Sequence, residues 1–381
     1  MVQLSRPGWR VAAITTSLLV SFVAVPAAPA AADQDHREPS SRVVATGLNN
    51  PRHVRWANGG LYIAEAGVGG SGDCVPSPEG GEACYGASGS ITRLKHHRQS
   101  RVATRLPSIA GEGGANALGP SDLLVHGRRY TVAIGLGADP KLRPTTPANA
   151  RKLATVSTGR FGHRGLKVVA DIGRYEARKN PDGGELDTNP VALLRRHGKT
   201  YVVDAGGNSL LRIRRHGRVK AKEVFPDTMV LAPNFLGLPP GAKIPMQAVP
   251  TAAAKGPDGA IYVSQLTGFP FPVGGASIWR IVPGHAPTKY ATGLTNVTDL
   301  AFGRDGSLYV VQIADQGLLA EKPTGSVQRI PAGGGARHWT VVDDLNTPYG
   351  IALHRGSAYV TTCSVCAGDG EVLRVRLHRH S

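Results

Sequence analysis

Two sets of polar residues recur in this chain at fixed places relative to strand-like segments, and together they define its chemistry. The first set stands three residues after a repeated tyrosine: Glu65, Asp204, Gln265, Gln312 and Thr362. The second appears when Pro51-Arg52-His53, Pro120-Ser121-Asp122, Val297-Thr298-Asp299 and Pro348-Tyr349-Gly350 are aligned, which puts His53, Asp122 and Asp299 at one position. If both sets face one mouth, it holds four carboxylates, one imidazole and two amides. Carboxylate and amide oxygens suit a hard cation, Ca²⁺ or Mg²⁺, with Glu65, Asp122, Asp204 and Asp299 as the metal ligands. Such an ion would polarise an ester or lactone carbonyl while His53 moved a proton. His53 and Glu65, which break the repeat, are the candidate catalytic residues; Asp122, Asp204, Gln265, Asp299 and Gln312 are candidate ligand-binding residues. The same recurrence also fits a hydrogen-bonding device between repeats.

Other segments suggest separate chemistry. Phe235 in Pro233-Asn234-Phe235-Leu236-Gly237-Leu238, with Phe269 and Phe271 in Phe269-Pro270-Phe271-Pro272, makes two loops apolar enough to form a platform for an aromatic or lipid-like ligand. Asp182, Glu185 and Asp187 crowd the segment Asn180 to Asn189, a candidate Ca²⁺ loop without the alternating oxygen spacing of an EF-hand. No Gly-x-Ser-x-Gly, His-Glu-x-x-His or phosphate-cradling loop occurs, so motif grounds for a serine hydrolase or zinc protease are missing.

The elements that must position these residues repeat as well. Tyr62, Tyr130, Tyr201, Tyr262, Tyr309 and Tyr359 each sit in a short apolar strand, separated by 68, 71, 61, 47 and 50 residues. Most copies follow a tight turn such as Gly256-Pro257-Asp258-Gly259 or Gly303-Arg304-Asp305-Gly306, and most precede a third strand ending in a basic residue, as in Ser277-Ile278-Trp279-Arg280-Ile281. Four-stranded units need roughly 40 to 50 residues. The pattern therefore predicts an all-β, six-bladed β-propeller of four-stranded antiparallel blades, with loops absorbing the excess in the first half; seven blades is the alternative. The segment from Arg42 to Leu48 reads as an outer strand lacking its three partners, and Glu371 to Leu377 as a third strand lacking its outer neighbour. Paired in one blade, they would close the ring and remove its exposed edges.

Arg6 and Arg10, the apolar run Val11 to Val25 and the small residues up to Ala32 have the layout of a secretory signal peptide over residues 1–32, with cleavage expected near Ala30 to Ala32. Residues 33–41 are expected to be a disordered mature N-terminus and 42–378 the propeller domain. No later segment approaches a membrane-spanning length, so a secreted or envelope-associated monomer is expected. In such a compartment Cys74, Cys84, Cys363 and Cys366 are expected to form two local disulfides, Cys74 with Cys84 and Cys363 with Cys366. The formal charge of +17 would let the protein meet anionic wall polymers or other acidic partners. Its basic pairs, such as Arg195-Arg196 and Arg214-Arg215, are scattered rather than set on one aromatic-studded face, which argues against nucleic-acid recognition.

Three longer motifs resemble a known family. Asn180-Pro181-Asp182-Gly183-Gly184-Glu185-Leu186-Asp187-Thr188-Asn189-Pro190, Asp204-Ala205-Gly206-Gly207-Asn208, and Gln265 through Gly275 are similar to the ScyD/ScyE family of exported propellers. That resemblance implies an exported propeller and carries over no catalytic residues. More distant similarity extends to NHL repeats, gluconolactonase-like hydrolases and quinone-dependent sugar dehydrogenases. The reading placed first is a module that binds a small molecule or cell-wall polymer at the channel mouth and the apolar rim. A metal-assisted hydrolase, lactonase or lyase comes second, and a quinone-dependent sugar dehydrogenase-like enzyme third.

Overall fold

A computed structural model describes residues 41–77 and 80–377. The expected signal peptide and residues 33–40 lie outside the described residues, and the first strand begins at Ser41.

Six four-stranded antiparallel sheets follow one another around a ring. From inner to outer strand, blade 1 is Pro51–Ala57, Gly60–Glu65, Glu82–Lys95 and Arg98–Ala110; blade 2 is Pro120–His126, Arg129–Ile134, Thr155–Arg160 and Lys167–Asp171. Blade 3 is Pro190–Arg196, Lys199–Asp204, Ser209–Ile213 and Val219–Val224, and blade 4 is Pro250–Lys255, Ile261–Gln265, Ala276–Ile281 and Thr288–Leu294. Blade 5 is Val297–Phe302, Leu308–Gln312, Thr324–Ile330 and Trp339–Asn346. Blade 6 joins Ile351–His354, Ser357–Thr362 and Ala367–Arg376 to the N-terminal strand Ser41–Asn49. Inner strands of successive blades touch all the way round, including the first with the last. Six blades, closed by the two chain ends in one sheet, is the architecture the sequence predicts.

The long spacings in the first half hide no seventh blade. They come from the extended third strand of blade 1 with its small partner Cys74–Pro76, from the helix Ile172–Lys179 between blades 2 and 3, and from the two-stranded hairpin Thr228–Leu231 and Lys243–Met246 between blades 3 and 4.

Burial explains the repeated strand. Every residue of Ile261–Gln265 and of Leu308–Gln312 is buried, because a second strand is covered by a neighbouring blade on each face. Val203, Leu210, Ala252, Val263, Ile278 and Val310 belong to one fully buried cluster running through blades 3 to 5. Outer strands such as Val219–Val224 alternate between half-buried and exposed residues.

The turns are equally legible. Asn58-Gly59, His197-Gly198 and Arg355-Gly356 place both central residues at positive φ, as two-residue hairpins require. In blades 4 and 5 an aspartate organises the turn instead. Asp258 accepts the N–H of Ala260 at 3.0 Å and pairs with Arg280 of the third strand at 2.7 Å; Asp305 accepts the N–H of Ser307 at 3.1 Å and pairs with Arg329 at 3.0 Å. The basic residue that ends the third strand thus clamps the first hairpin. Both expected disulfides are present, Cys74 with Cys84 and Cys363 with Cys366.

Candidate functional site

In every blade the inner strand begins, and the second strand ends, on the same face of the ring. The candidate catalytic, metal and ligand-binding residues of the sequence analysis lie towards that upper face, in distinct groups.

Asp122 and Asp299, on inner strands, share one geometry. Asp122 Oδ1 accepts the N–H of Leu123 at 2.7 Å, and its Oδ2 accepts the N–H of Leu193 in the next blade at 2.7 Å. Asp299 Oδ1 accepts the N–H of Leu300 at 2.8 Å, and its Oδ2 accepts that of Ile351 in the next blade at 2.9 Å. Each carboxylate fastens one blade to the next. A basic side chain faces each of them: Arg55 grips Asp122 through two nitrogens, and His53 Nδ1 lies 3.0 Å from Asp299 Oδ2. That imidazole is fully buried and lies edge-on to Tyr349. Burial works to raise the Asp299 carboxyl, but His53, Arg55 and the Ile351 N–H hold it below its ordinary value.

Residues at the ends of the second strands make a different set of bonds. Glu65, fully buried, accepts from Ser90 Oγ at 2.8 Å, Thr92 Oγ1 at 2.6 Å and the Asn49 N–H at 2.8 Å, and pairs with Arg101 at 2.9 Å. Asp204 Oδ1 accepts the N–H of Asn189 at 2.6 Å, and Gln312 Oε1 accepts that of Thr295 at 2.7 Å. In blades 1, 3 and 5 this residue therefore holds the segment that leads into its own inner strand. Gln265 instead accepts from Trp279 Nε1 at 3.2 Å, and Thr362 is buried at the matching place in blade 6. The two sets thus share no hydrogen-bond partner, and among the described residues no three His, Cys, Asp or Glu side chains are gathered closely enough to hold an ion.

The loops between blades 2 and 3 form a third group, centred on a residue the sequence reading missed. Glu176 is fully buried, and neither carboxylate oxygen has a hydrogen-bond partner. Its signal was the i, i+4 spacing with Ile172, which turns both residues to the inner side of the helix. Burial pushes the Glu176 carboxyl up to about 8, reinforced by Asp204, Asp182 and Asp187. Burial likewise pushes Asp204 up to about 7 and Asp187 up to about 6. Arg55, Arg101 and Tyr349 were also missed, since each acts on a partner from another blade or a distant strand.

The fourth group is apolar. The hairpin between blades 3 and 4 stands outside the blade sheets, and Phe235 near its tip is 70% exposed. Its ring lies 6.2 Å from that of Phe269, which is 38% exposed and 6.3 Å from Phe271. Met229, Leu231, Leu238 and Val273, on the same two segments, are exposed as well. A cleft of about 990 Å³ between blades 1 and 6 is lined largely by glycine and alanine around Cys84 and Glu112 and gathers no set of reactive groups.

No family model and no curated protein matches the chain. The ScyD/ScyE resemblance accordingly rests on its three motifs. Solved structures do match. A protein described as an oxidoreductase (glucose dehydrogenase) from Thermus thermophilus is 18% identical, with a TM-score of 0.53 over 88% of this chain and 99% of that one. A glucose dehydrogenase is 14% identical with a TM-score of 0.51 over 89% and 100%, and a gluconolactonase from Xanthomonas campestris is 11% identical with a TM-score of 0.50 over 89% of each chain. At such identities the likeness is one of fold: this chain is a six-bladed β-propeller built like those enzymes.

Proposed function

We propose that this protein is an exported binding propeller whose recognition surface is the apolar rim between blades 3 and 4, and that it takes an amphiphile with an aromatic or lipid-like body. The observation that carries this reading is the row of three rings, Phe235, Phe269 and Phe271, with Phe235 70% exposed on a hairpin that serves no blade. Apolar side chains clustered in water at the tip of an insertion have no folding role to explain them, and such patches mark interaction sites. The basic surface would draw the anionic end of such a ligand. The two disulfides and the absence, among the described residues, of a helix long and apolar enough to cross a membrane are consistent with secretion.

Hydrolase, lactonase or lyase chemistry at His53 and Glu65, with Ca²⁺ or Mg²⁺ on Glu65, Asp122, Asp204 and Asp299, is the enzymatic alternative, followed by a quinone-dependent dehydrogenase. The names of the fold neighbours favour these readings. The bonds at the upper face favour binding, because His53, Glu65, Asp122 and Asp299 are already engaged with neighbouring blades.

Fluorescence titration with anilinonaphthalene sulfonate, an anionic aromatic amphiphile, tests the proposal. Saturable binding to the folded protein is expected, lost in the double variant Phe235→Ser, Phe269→Ser at an unchanged melting temperature. Equal binding by the variant, or none by the wild type, would overturn it.

A further inference from the structure

We propose that the lower face of blades 2 and 3 is a docking surface for an anionic glycan, a carbohydrate polymer that carries closely spaced phosphate, sulfate or carboxylate groups. That face holds, in each blade, the turn from the inner to the second strand and the turn from the third to the outer strand. In blade 2, Arg128 and Arg129 stand on the first turn, with Arg160, Arg164 and Lys167 on the second. In blade 3, Arg195 and Lys199 flank the first turn, and Arg214, Arg215 and Arg218 sit on the second. All ten side chains are exposed, and no acid lies in any of the four turns. Among the described residues none of the ten forms an ion pair.

The four turns make one continuous surface. The Phe161 N–H of the second turn of blade 2 donates to the Arg128 carbonyl of the first at 3.0 Å. Arg195 Nη1 lies 3.3 Å from His126 Nε2, which brings the first turns of the two blades side by side. A Cβ added to Gly217 would stand 2.3 Å from the Val169 carbonyl oxygen, so the second turn of blade 3 rests on the outer strand of blade 2.

The fold separates charge between its two faces. Among the described residues Asp258 and Asp305 are the only acids of the lower turns, and Arg280 and Arg329 neutralise them. The other described acids lie in upper-face connections or in the upper halves of their strands. Turn chemistry does not demand this arrangement, because Asn, Asp and Gly are the residues that favour such hairpins, as at Asn58-Gly59. Ten like charges on two adjacent blades repel one another and gain most from a partner of opposite sign. Arg195-Arg196 and Arg214-Arg215, scattered along the sequence, are gathered by the blades onto this one face.

The chemistry of the surface indicates the partner. Eight of the ten cations are arginine, whose planar fork pairs with anionic oxygens through two parallel hydrogen bonds. Phe161 packs against Tyr62 and Tyr130, and the four turns expose no large apolar side chain to enter a bilayer or stack on a base. Short turns also offer no long helix or ribbon to a nucleic-acid groove. An anionic glycan suits the extracytoplasmic compartment to which the signal-peptide layout and the two disulfides point. The surface lies at the opposite ends of the strands from the apolar rim and does not rest on the amphiphile reading.

Titration of heparin, a sulfated glycan, into the mature protein across a series of salt concentrations tests this. The lower-face variant Arg128→Gln, Arg164→Gln, Lys199→Gln, Arg215→Gln takes one cation from each turn. A control, Lys141→Gln, Arg174→Gln, Arg178→Gln, Lys179→Gln, takes the same charge from exposed residues of upper-face connections. At about 0.15 M salt the lower-face variant should bind at least about tenfold more weakly than wild type and with a shallower salt dependence, and the control within about threefold. Heparin should also raise the melting temperature of wild type more than that of the lower-face variant. Equal weakening in the two variants would reduce the effect to net charge, and an absence of wild-type binding would remove it; either overturns the proposal. Vesicles of phosphatidylglycerol and phosphatidylcholine, and a DNA duplex of mixed sequence, should bind more weakly than heparin at that salt. The reverse order would assign the face to lipid or nucleic acid and overturn the glycan assignment.

Discussion

Glu65 Oε2 accepts the backbone N–H of Asn49 at 2.8 Å, so the second strand of blade 1 grips the strand that completes blade 6. Arg101 donates both to this carboxylate and to the carbonyl of Gly47, each at 2.9 Å, and so binds the same strand from the outer side of blade 1. Removing the carboxylate leaves Ser90, Thr92 and the Asn49 N–H without their acceptor. Glu65→Ala is expected to lower unfolding free energy by about 3–5 kcal/mol, the usual result of breaking a buried charged network. Urea unfolding measures this; a loss below about 1 kcal/mol would mean that the strand is held by its sheet pairing alone.

The Asp299 carboxyl sets an acid limit on stability. Burial favours its protonated form, but His53, Arg55 and the Ile351 N–H overcome that and depress its pKa below 3.8. A depressed folded-state value contributes stability that is complete above the unfolded value and disappears as pH falls through the folded one. Wild type should therefore exceed Asp299→Asn in stability at about pH 6, and the gap should close below about pH 3.8. Urea midpoints across that range decide it. A gap that persists undiminished at about pH 2 would assign the effect to shape rather than charge.

The sequence exposed the ring far better than it exposed the bonds within it. Tyrosine strands, X-Gly turns and two incomplete ends have local signatures, so the six blades and their closure could be read directly. The partners of His53, Glu65, Asp122 and Asp299 could not, because they come from other blades or distant strands: Asp299 from blade 5, Arg101 from the outer strand of blade 1, Arg55 from blade 1 and Ile351 from blade 6. A polar residue on a buried strand looks the same in sequence whether it holds a backbone N–H or a substrate. Glu176 escaped for a related reason: one short helix between two propeller blades has no repeat to compare it with.

Gly256 illustrates how tightly the repeat is packed at its turns. A Cβ there would lie 2.2 Å from Tyr262 Cε2, within the second strand's recurrent tyrosine ring. That ring is wedged edge-on against Tyr290 and Phe302, both at 4.8 Å, and so has little room to retreat. Gly256→Ala should cost about 1–3 kcal/mol through overpacking. The double variant Gly256→Ala, Tyr262→Leu provides the control: if the glycine matters because of this ring, the cost of the alanine should largely vanish in the leucine background. Additive losses in thermal melts would refute that coupling.

Closure of the ring by Ser41–Asn49 has a consequence for assembly. This strand supplies the whole outer edge of blade 6 through antiparallel pairing with Ala367–Arg376. It also buries Ala45 and Leu48 against Val54, Ile63 and Val372. A protein shortened to begin at Asn50 would expose the unpaired N–H and C=O groups of Ala367–Arg376 and a strip of core, the combination that recruits another chain. Such a protein should melt lower than the chain that begins at Ser41 and elute as larger oligomers than it in size-exclusion chromatography. A peptide spanning residues 41–49, added in trans, should restore the elution of the chain that begins at Ser41 and part of its melting temperature, because it re-creates both the ladder and the Glu65 contact. If the shortened protein elutes and melts like the parent, the five complete blades and the three-stranded remnant are self-sufficient, and the N-terminal strand is a cover rather than a clasp.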